Sequence, residues 1–361
     1  MNLFIRTSIA PYRVDFYNAL HDRLDMRMCF YYPVGHDQAF DRDWMESACS
    51  FRPTYLKGIR LGRDSRKICS GLWKLVREED PVLVIVPEFQ LVLYQLAFIR
   101  LFRRKKFRIV SMCDDSIDMI EKRNDFSGLH RFLRSWVPKL LDDIIVVSPQ
   151  VRDWYREHFG IGRFMPIMMD NGPARERYRR LLPVSAALET QYGLQGRKVI
   201  LFVGRLVALK NVDRLIDAYA ALDGDAALVV VGDGPEGERL RSRAAASGKD
   251  VIFTGRLEGD DLYAWYNVAD VVALPSSQEA FGAVVNEALL AGARVAVSAR
   301  AGAACLVTPE NGAVVDIDAP DALRKALEGQ LAASGPRPGE LRPDLMPYEF
   351  NTLMDELVRQ L

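Results

Sequence analysis

What most constrains this chain is a rhythm: short, continuously apolar runs alternate with stretches of helical periodicity, and the rhythm plays twice. In the first pass, residues 3–6, 26–32, 82–86, 107–112 and 144–147 read as strands. Helical patterns start after Pro11 and cover 67–77 and 91–104. Strands without apolar/polar alternation are buried on both faces, and interleaved helices supply the covers, so the fold class is α/β with a parallel sheet. The alternation restarts with strands at 199–203, 227–231, 251–253, 271–274 and 295–298, and helices at 212–222, 236–246 and 262–266. Two doubly wound, Rossmann-like domains are expected. The Asn171-Gly172-Pro173 segment, followed by arginines and Pro183, marks the junction. The expected bounds are 1–172, 173–345, and a last helix within 346–361 that packs back on the first domain. Residues 334–347, with four prolines and two glycines, read as a linker.

Ligands of such sheets sit beyond the carboxyl ends of the strands. In the first domain that selects Ser8, Pro11, Tyr12, Arg13, Glu88, Asp114, Asp115 and Ser148. In the second, the richest stretch is Ser276 to Gly292. There a strand ending at Pro275 leads through a polar loop into a small-residue helix expected to start at Gly282. The first amides of that helix, on Ala283, Val284 and Val285, have no intrahelical partner and suit an anion. Glu279 and Glu287 bracket them. Gly204-Arg205-Leu206 with Lys210 places two cations in the loop after another strand, a pairing that suits a diphosphate as well as bare solvent exposure.

Gly232-Asp233-Gly234-Pro235-Glu236-Gly237 satisfies G-x-G-x-x-G, the pattern of dinucleotide folds. Pro235 and Glu236 fall where pyrophosphate would lie, and the next strand ends in Thr254-Gly255-Arg256 without a ribose-binding acid. A tight turn facing the ligand is the reading preferred, with an NAD(P)-dependent oxidoreductase as the alternative.

The net charge of +0 argues against a nucleic-acid partner. It hides an asymmetry: residues 1–180 carry 31 Lys/Arg against 23 Asp/Glu, and residues 181–361 carry 17 against 25. The first half is therefore the one to suspect of meeting an anionic surface or acceptor, with solubility as the competing explanation. Five scattered cysteines without C-x-x-C spacing fit buried thiols in a reducing compartment and give no metal site. Met1–Thr7 reads as a strand rather than a signal peptide, and no apolar run is long enough to span a bilayer, so a cytoplasmic location is expected.

Taken in order, Gly204-Arg205-Leu206 with Lys210, Gly232-Asp233-Gly234-Pro235, Phe253-Thr254-Gly255, Ala269-Asp270-Val271 with Leu274-Pro275-Ser276, and Glu279 with Glu287 resemble the retaining GT-B glycosyltransferases of family 4 over residues 144–300. The resemblance implies a nucleotide-sugar donor, UDP- or GDP-linked, bound by the second domain with no metal or other cofactor. It places Arg205 and Lys210 on the diphosphate and Glu287 on the ribose. Glu279, with the backbone at Phe281 and Gly282, meets the donor sugar. Gly204, Gly232, Gly234, Gly255, Arg256 and Ala283 complete the donor surface.

The first domain departs from that family. Where many members have a Gly-rich loop and a histidine, this chain has Ile9-Ala10-Pro11-Tyr12-Arg13 and Ser111-Met112-Cys113-Asp114-Asp115-Ser116. Its Pro-Tyr-Arg start, with Phe16-Tyr17-Asn18-Ala19-Leu20, resembles a subset of bacterial surface-polysaccharide transferases. His21, His36, His130 and His158 do not sit at the expected strand end. Asp114, Asp115 or Glu88 is left to orient or deprotonate the acceptor, a glycan or lipid-linked glycan, with Tyr12 and Arg13 beside it. For each, an N-cap or loop-solvating role competes. Leu91–Phe102, followed by Arg103-Arg104-Lys105-Lys106-Phe107-Arg108, is either a core helix with a solvated basic end or a contact with an anionic membrane. A non-catalytic, membrane-associated GT-B partner subunit is a third reading.

Overall fold

The computed structural model describes residues 1–33, 42–62, 67–88, 90–121, 136–335 and 339–361. His36 and His130 lie outside them. The chain forms two compact units, Met1–Met169 with Phe350–Leu361, and Asp170–Glu349.

In the first unit the strands are β1 (Asn2–Arg6), β2 (Met26–Phe30), β3 (Thr54–Tyr55), β4 (Gly58–Arg60), β5 (Lys67–Cys69), β6 (Leu83–Pro87), β7 (Arg108–Cys113), β8 (Asp143–Val146) and β9 (Arg163–Phe164). Seven of them make a sheet of order β3-β2-β1-β6-β7-β8-β9, parallel throughout. All five residues of β6 are buried, as a two-face-covered strand demands. Helices α1 (Val14–Leu24), α2 (Arg42–Ser47), α3 (Leu72–Glu79) and α4 (Leu91–Phe102) follow in chain order. The strand order reverses between β1 and β6, which makes the carboxyl ends of those two strands the switch point. The last helix, Phe350–Gln360, belongs to this unit, where Arg23 donates to Asn351 Oδ1 at 2.7 Å and pairs with Asp355 at 3.3 Å.

The expected helix over 67–77 is instead β5 followed by α3. Tertiary contacts override the local pattern. Buried Lys67 donates from Nζ to the carbonyls of Leu56 (2.7 Å) and Tyr31 (3.0 Å) and lies 4.6 Å from the Tyr32 ring centroid. Gln95 ties both main-chain groups of Cys69 to α4. An extended 67–69 segment satisfies these groups where a helix would not.

In the second unit β10 (Lys198–Val203), β11 (Ala226–Val231), β12 (Val251–Gly255), β13 (Val271–Leu274), β14 (Arg294–Ser298) and β15 (Gly312–Val315) form a parallel sheet of order β12-β11-β10-β13-β14-β15. Its switch point lies between β10 and β13. The Asn171-Gly172-Pro173 segment, read as the junction between the domains, opens a helix, Asn171–Arg180, capped by the Asp170 side chain on the Gly172 amide at 3.0 Å. Pro173 and Pro183 each sit in a first helical turn, where a missing N–H costs nothing. Among the described residues no helix is long and apolar enough to cross a membrane.

Candidate functional site

At the second unit's switch point the loop after β10 lies against the loop after β13. Asn211 Nδ2 donates to the Pro275 carbonyl (2.9 Å), and the Ser277 amide donates to the Leu209 carbonyl (2.8 Å). This docking brings Lys210 into an ion pair with Glu279, both mostly buried, and Ser276 Oγ approaches the same carboxylate at 3.4 Å. Arg205 is exposed, and among the described residues its guanidinium has no hydrogen-bond or ion-pair partner. Of the two cations expected for a diphosphate, one is neutralised and one is free.

The glycines beside them have a steric explanation. The amides of Gly204, Leu206 and Gly232 donate to the carbonyls of Val231 (3.0 Å), Asp233 (2.7 Å) and Gly255 (2.8 Å). Three post-strand loops therefore run edge to edge. A Cβ on Gly232 would stand 1.9 Å from the Gly204 oxygen, and one on Gly234 2.5 Å from the Leu206 oxygen. The G-x-G pattern thus serves loop-to-loop packing. Gly255 has φ +75°, and Arg256 is engaged by Glu258, with Nε 2.8 Å from its carboxylate.

Gly282 does not start the helix. Its φ is +101°, and a Cβ there would meet Leu274 Cδ2 at 2.4 Å; the helix runs Val284–Leu290. The Val285 amide donates to the Gly282 carbonyl (3.0 Å), so it is not the anion donor expected; Ala283 and Val284 precede it. Phe281 is buried, and its carbonyl accepts from the Ala303 amide at 2.8 Å. Glu287 is also buried. One of its carboxylate oxygens accepts from the Tyr266 hydroxyl, and its carbonyl accepts from Tyr178 Oη at 2.9 Å. Burial raises its pKa, and the Tyr266 hydrogen bond and Arg177 offset only part of that. Tyr178 and Tyr266 were invisible as site residues because each lies on a separate helix with no spacing that relates it to Glu287.

The first unit's sheet edge has a different character. Asp114 is held by Arg6 (2.8 Å) and by buried Arg13 (2.5 Å), whose guanidinium also lies 5.7 Å from the Phe16 ring centroid. Burial pushes the Asp114 carboxyl up, but Arg13 and Arg6 outweigh it and hold the group below the usual range. A carboxylate so stabilised is a poor base, which disfavours the deprotonating role expected of Asp114 and turns Arg13 into its clamp. Tyr12 has its hydroxyl pKa raised by burial and then by Asp114.

Glu88 accepts from Tyr155 Oη at 2.5 Å. One ligand-capable atom from each of Glu88, Cys113 and Asp115 lies within 4.8 Å of the others, a set able to hold a metal that the cysteine spacing did not suggest. Burial, then Glu88 and Asp115, push the Cys113 thiol well up. Gln90 Nε2 donates to Thr7 Oγ1 at 3.0 Å across the β1/β6 switch point. Ser148 is an N-cap, its Oγ accepting from the Val151 amide. His21 and His158 bond the carbonyls of Met26 and Trp154.

Residues 187–341 match the family model of glycosyl transferases group 1. This group 1 segment contains β10 to β15. The GDP-mannose-dependent alpha-mannosyltransferase of Mycolicibacterium smegmatis is 32% identical over 173 residues, 47% of this chain and 44% of that protein. The D-inositol 3-phosphate glycosyltransferase of Salinispora tropica is 36% identical over 216 residues, 56% of this chain and 43% of that protein. The chain thus spans less than half the length of these curated relatives. Anabaena HepE, solved with UDP and glucose, superposes over 100% of this chain and 99% of its own with a TM-score of 0.70 at 17% identity. That likeness establishes the GT-B fold. Arg205, Lys210, Glu279 and Glu287 lie inside the group 1 segment; Arg13, Glu88, Asp114 and Asp115 lie outside it.

Proposed function

We propose that this chain is a glycosyltransferase that moves a sugar from a nucleotide-sugar donor to a hydroxyl of a glycan or lipid-linked glycan. The observation that carries the reading is the Lys210–Glu279 pair at the β10/β13 switch point, beside Arg205, which has no partner among the described residues, and within the group 1 segment. A bound diphosphate competes with Glu279 for Lys210. Arg205 clamps its oxygens through paired N–H groups, and both cations stabilise the charge that develops as the glycosidic oxygen leaves. Glu279, released from Lys210, accepts from hydroxyls of the donor sugar. Glu287, already fixed by Tyr266, offers its other oxygen to the ribose. The donor is a substrate and no metal is required for this step. Transfer proceeds with retention, as in the family 4 enzymes that the motifs resemble, and the setting is surface-polysaccharide synthesis on the cytoplasmic side of the cell membrane.

One relative is named for GDP-mannose and the Anabaena structure holds UDP, so both bases enter the test. Thermal unfolding is followed with UDP-, GDP-, ADP- and dTDP-sugars and with NAD(P). At 100-fold its dissociation constant a true donor adds about 2.7 kcal/mol to the unit that binds it, a shift of several degrees. Stabilisation by NAD(P) alone would transfer the site to an oxidoreductase. Donor binding with no turnover across acceptor classes would favour the partner-subunit reading.

A further inference from the structure

Away from the strand ends, the first unit presents an apolar ridge to solvent. On α4, Phe98, Leu101 and Phe102 are 58%, 73% and 64% exposed, and Trp73 of α3 is 46% exposed. The rings form one cluster, with Phe98 4.9 Å and Trp73 6.2 Å from Phe102 between centroids. The antiparallel β4–β5 pair is tied to α4. Ile59 and Ile68 are cross-strand partners, both exposed, and Gln95 of α4 bonds the neighbouring Cys69 amide (3.0 Å) and carbonyl (3.1 Å). Gln95, Phe98 and Phe102 share a helix face by their spacing.

The rim of the ridge is cationic. A groove beside α3 and α4 is lined by Trp73, Arg77, Phe102 and Arg104. Arg77 and Arg104 are exposed and without side-chain partners among the described residues. The nearby acids are already matched: Asp80 takes Arg103 and Lys105, and Glu78 takes Lys74. Clustered exposed aromatics of this kind mark an interaction site. Exposed apolar rings bordered by unmatched cations complement an anionic bilayer surface, where the rings enter the headgroup and acyl boundary and the cations meet lipid phosphates. We infer that this ridge docks the protein peripherally on anionic membrane. The inference stands on this surface alone and is independent of the reaction assigned to the second unit.

The test is co-sedimentation of the full chain with phosphatidylcholine vesicles with and without phosphatidylglycerol. Binding is expected only with the anionic lipid and to weaken with salt. Phe98→Ser with Phe102→Ser, and separately Arg77→Glu with Arg104→Glu, should each weaken it on the order of 10-fold or more, given roughly 5-fold per cation at such a surface. All four side chains are exposed, so far-UV circular dichroism should not change. Failure to bind anionic vesicles, or binding by either variant as tight as the parent's, overturns the inference. So does a concentration-dependent dimer that the Phe98/Phe102 variant abolishes, which would assign the ridge to a second copy of the chain.

Discussion

Both units are parallel sheets whose strand order reverses once, yet their switch points hold opposite electrostatic arrangements. In the second unit a single carboxylate, Glu279, occupies one cation and leaves Arg205 open, amid loops whose main chains are laced together. In the first, two guanidiniums converge on one carboxylate, Asp114. On the function proposed above, the second unit's arrangement exchanges its carboxylate for a diphosphate. The first unit's is closed on itself, because separating buried Arg13 from Asp114 would strand a charge. The same topology therefore offers a ligand site or a structural clamp according to the few residues after each strand.

The largest effect that would break this contrast is at Lys210. Lys210→Ala should lower sugar transfer on the order of 10²- to 10³-fold while leaving the fold intact by circular dichroism; turnover near that of the parent would remove the diphosphate role. Next, Asp114→Asn should cost about 3 kcal/mol near neutral pH in urea unfolding, because it leaves Arg13 buried and unmatched. The sign with pH follows from the depressed carboxyl. Its stabilisation is present above the unfolded value, about 3.9, and is lost as pH falls through the lower folded value, so the gap between parent and variant should close in acid. A gap that widens in acid would mean Asp114 is not the clamp described. Smallest is a pair of glycine substitutions. Gly255→Ala has open space but positive φ, and should cost about 1 kcal/mol. Gly232→Ala meets the Gly204 oxygen, so it should cost at least about 2 kcal/mol and also weaken donor binding. Equal costs would show that backbone conformation, rather than loop packing, explains the G-x-G.

The sheets were legible because buried strands such as Val199–Val203 and Ala227–Val231 are apolar without interruption, which no helix or edge strand of that length requires. The helices at 171–180 and 182–191 were missed because proline reads as a breaker until its position in a first turn is known. The Lys67–Cys69 strand was missed because its reasons, the Tyr31 and Leu56 carbonyls and Gln95, lie elsewhere in the chain.

At the site, local order in the sequence determined the residue types and their places: cations after β10, a carboxylate before and inside the helix after β13, and glycines at strand ends. These follow from strand-to-helix spacing, which is a property of neighbours along the chain. Only the tertiary structure decided the pairings. Lys210 faces Glu279, Tyr266 engages Glu287, two arginines close on Asp114, and Cys113 joins Glu88 and Asp115. Each joins side chains from separate segments, and a hydrogen bond or ion pair depends on distances of a few ångströms that strand order and loop packing set.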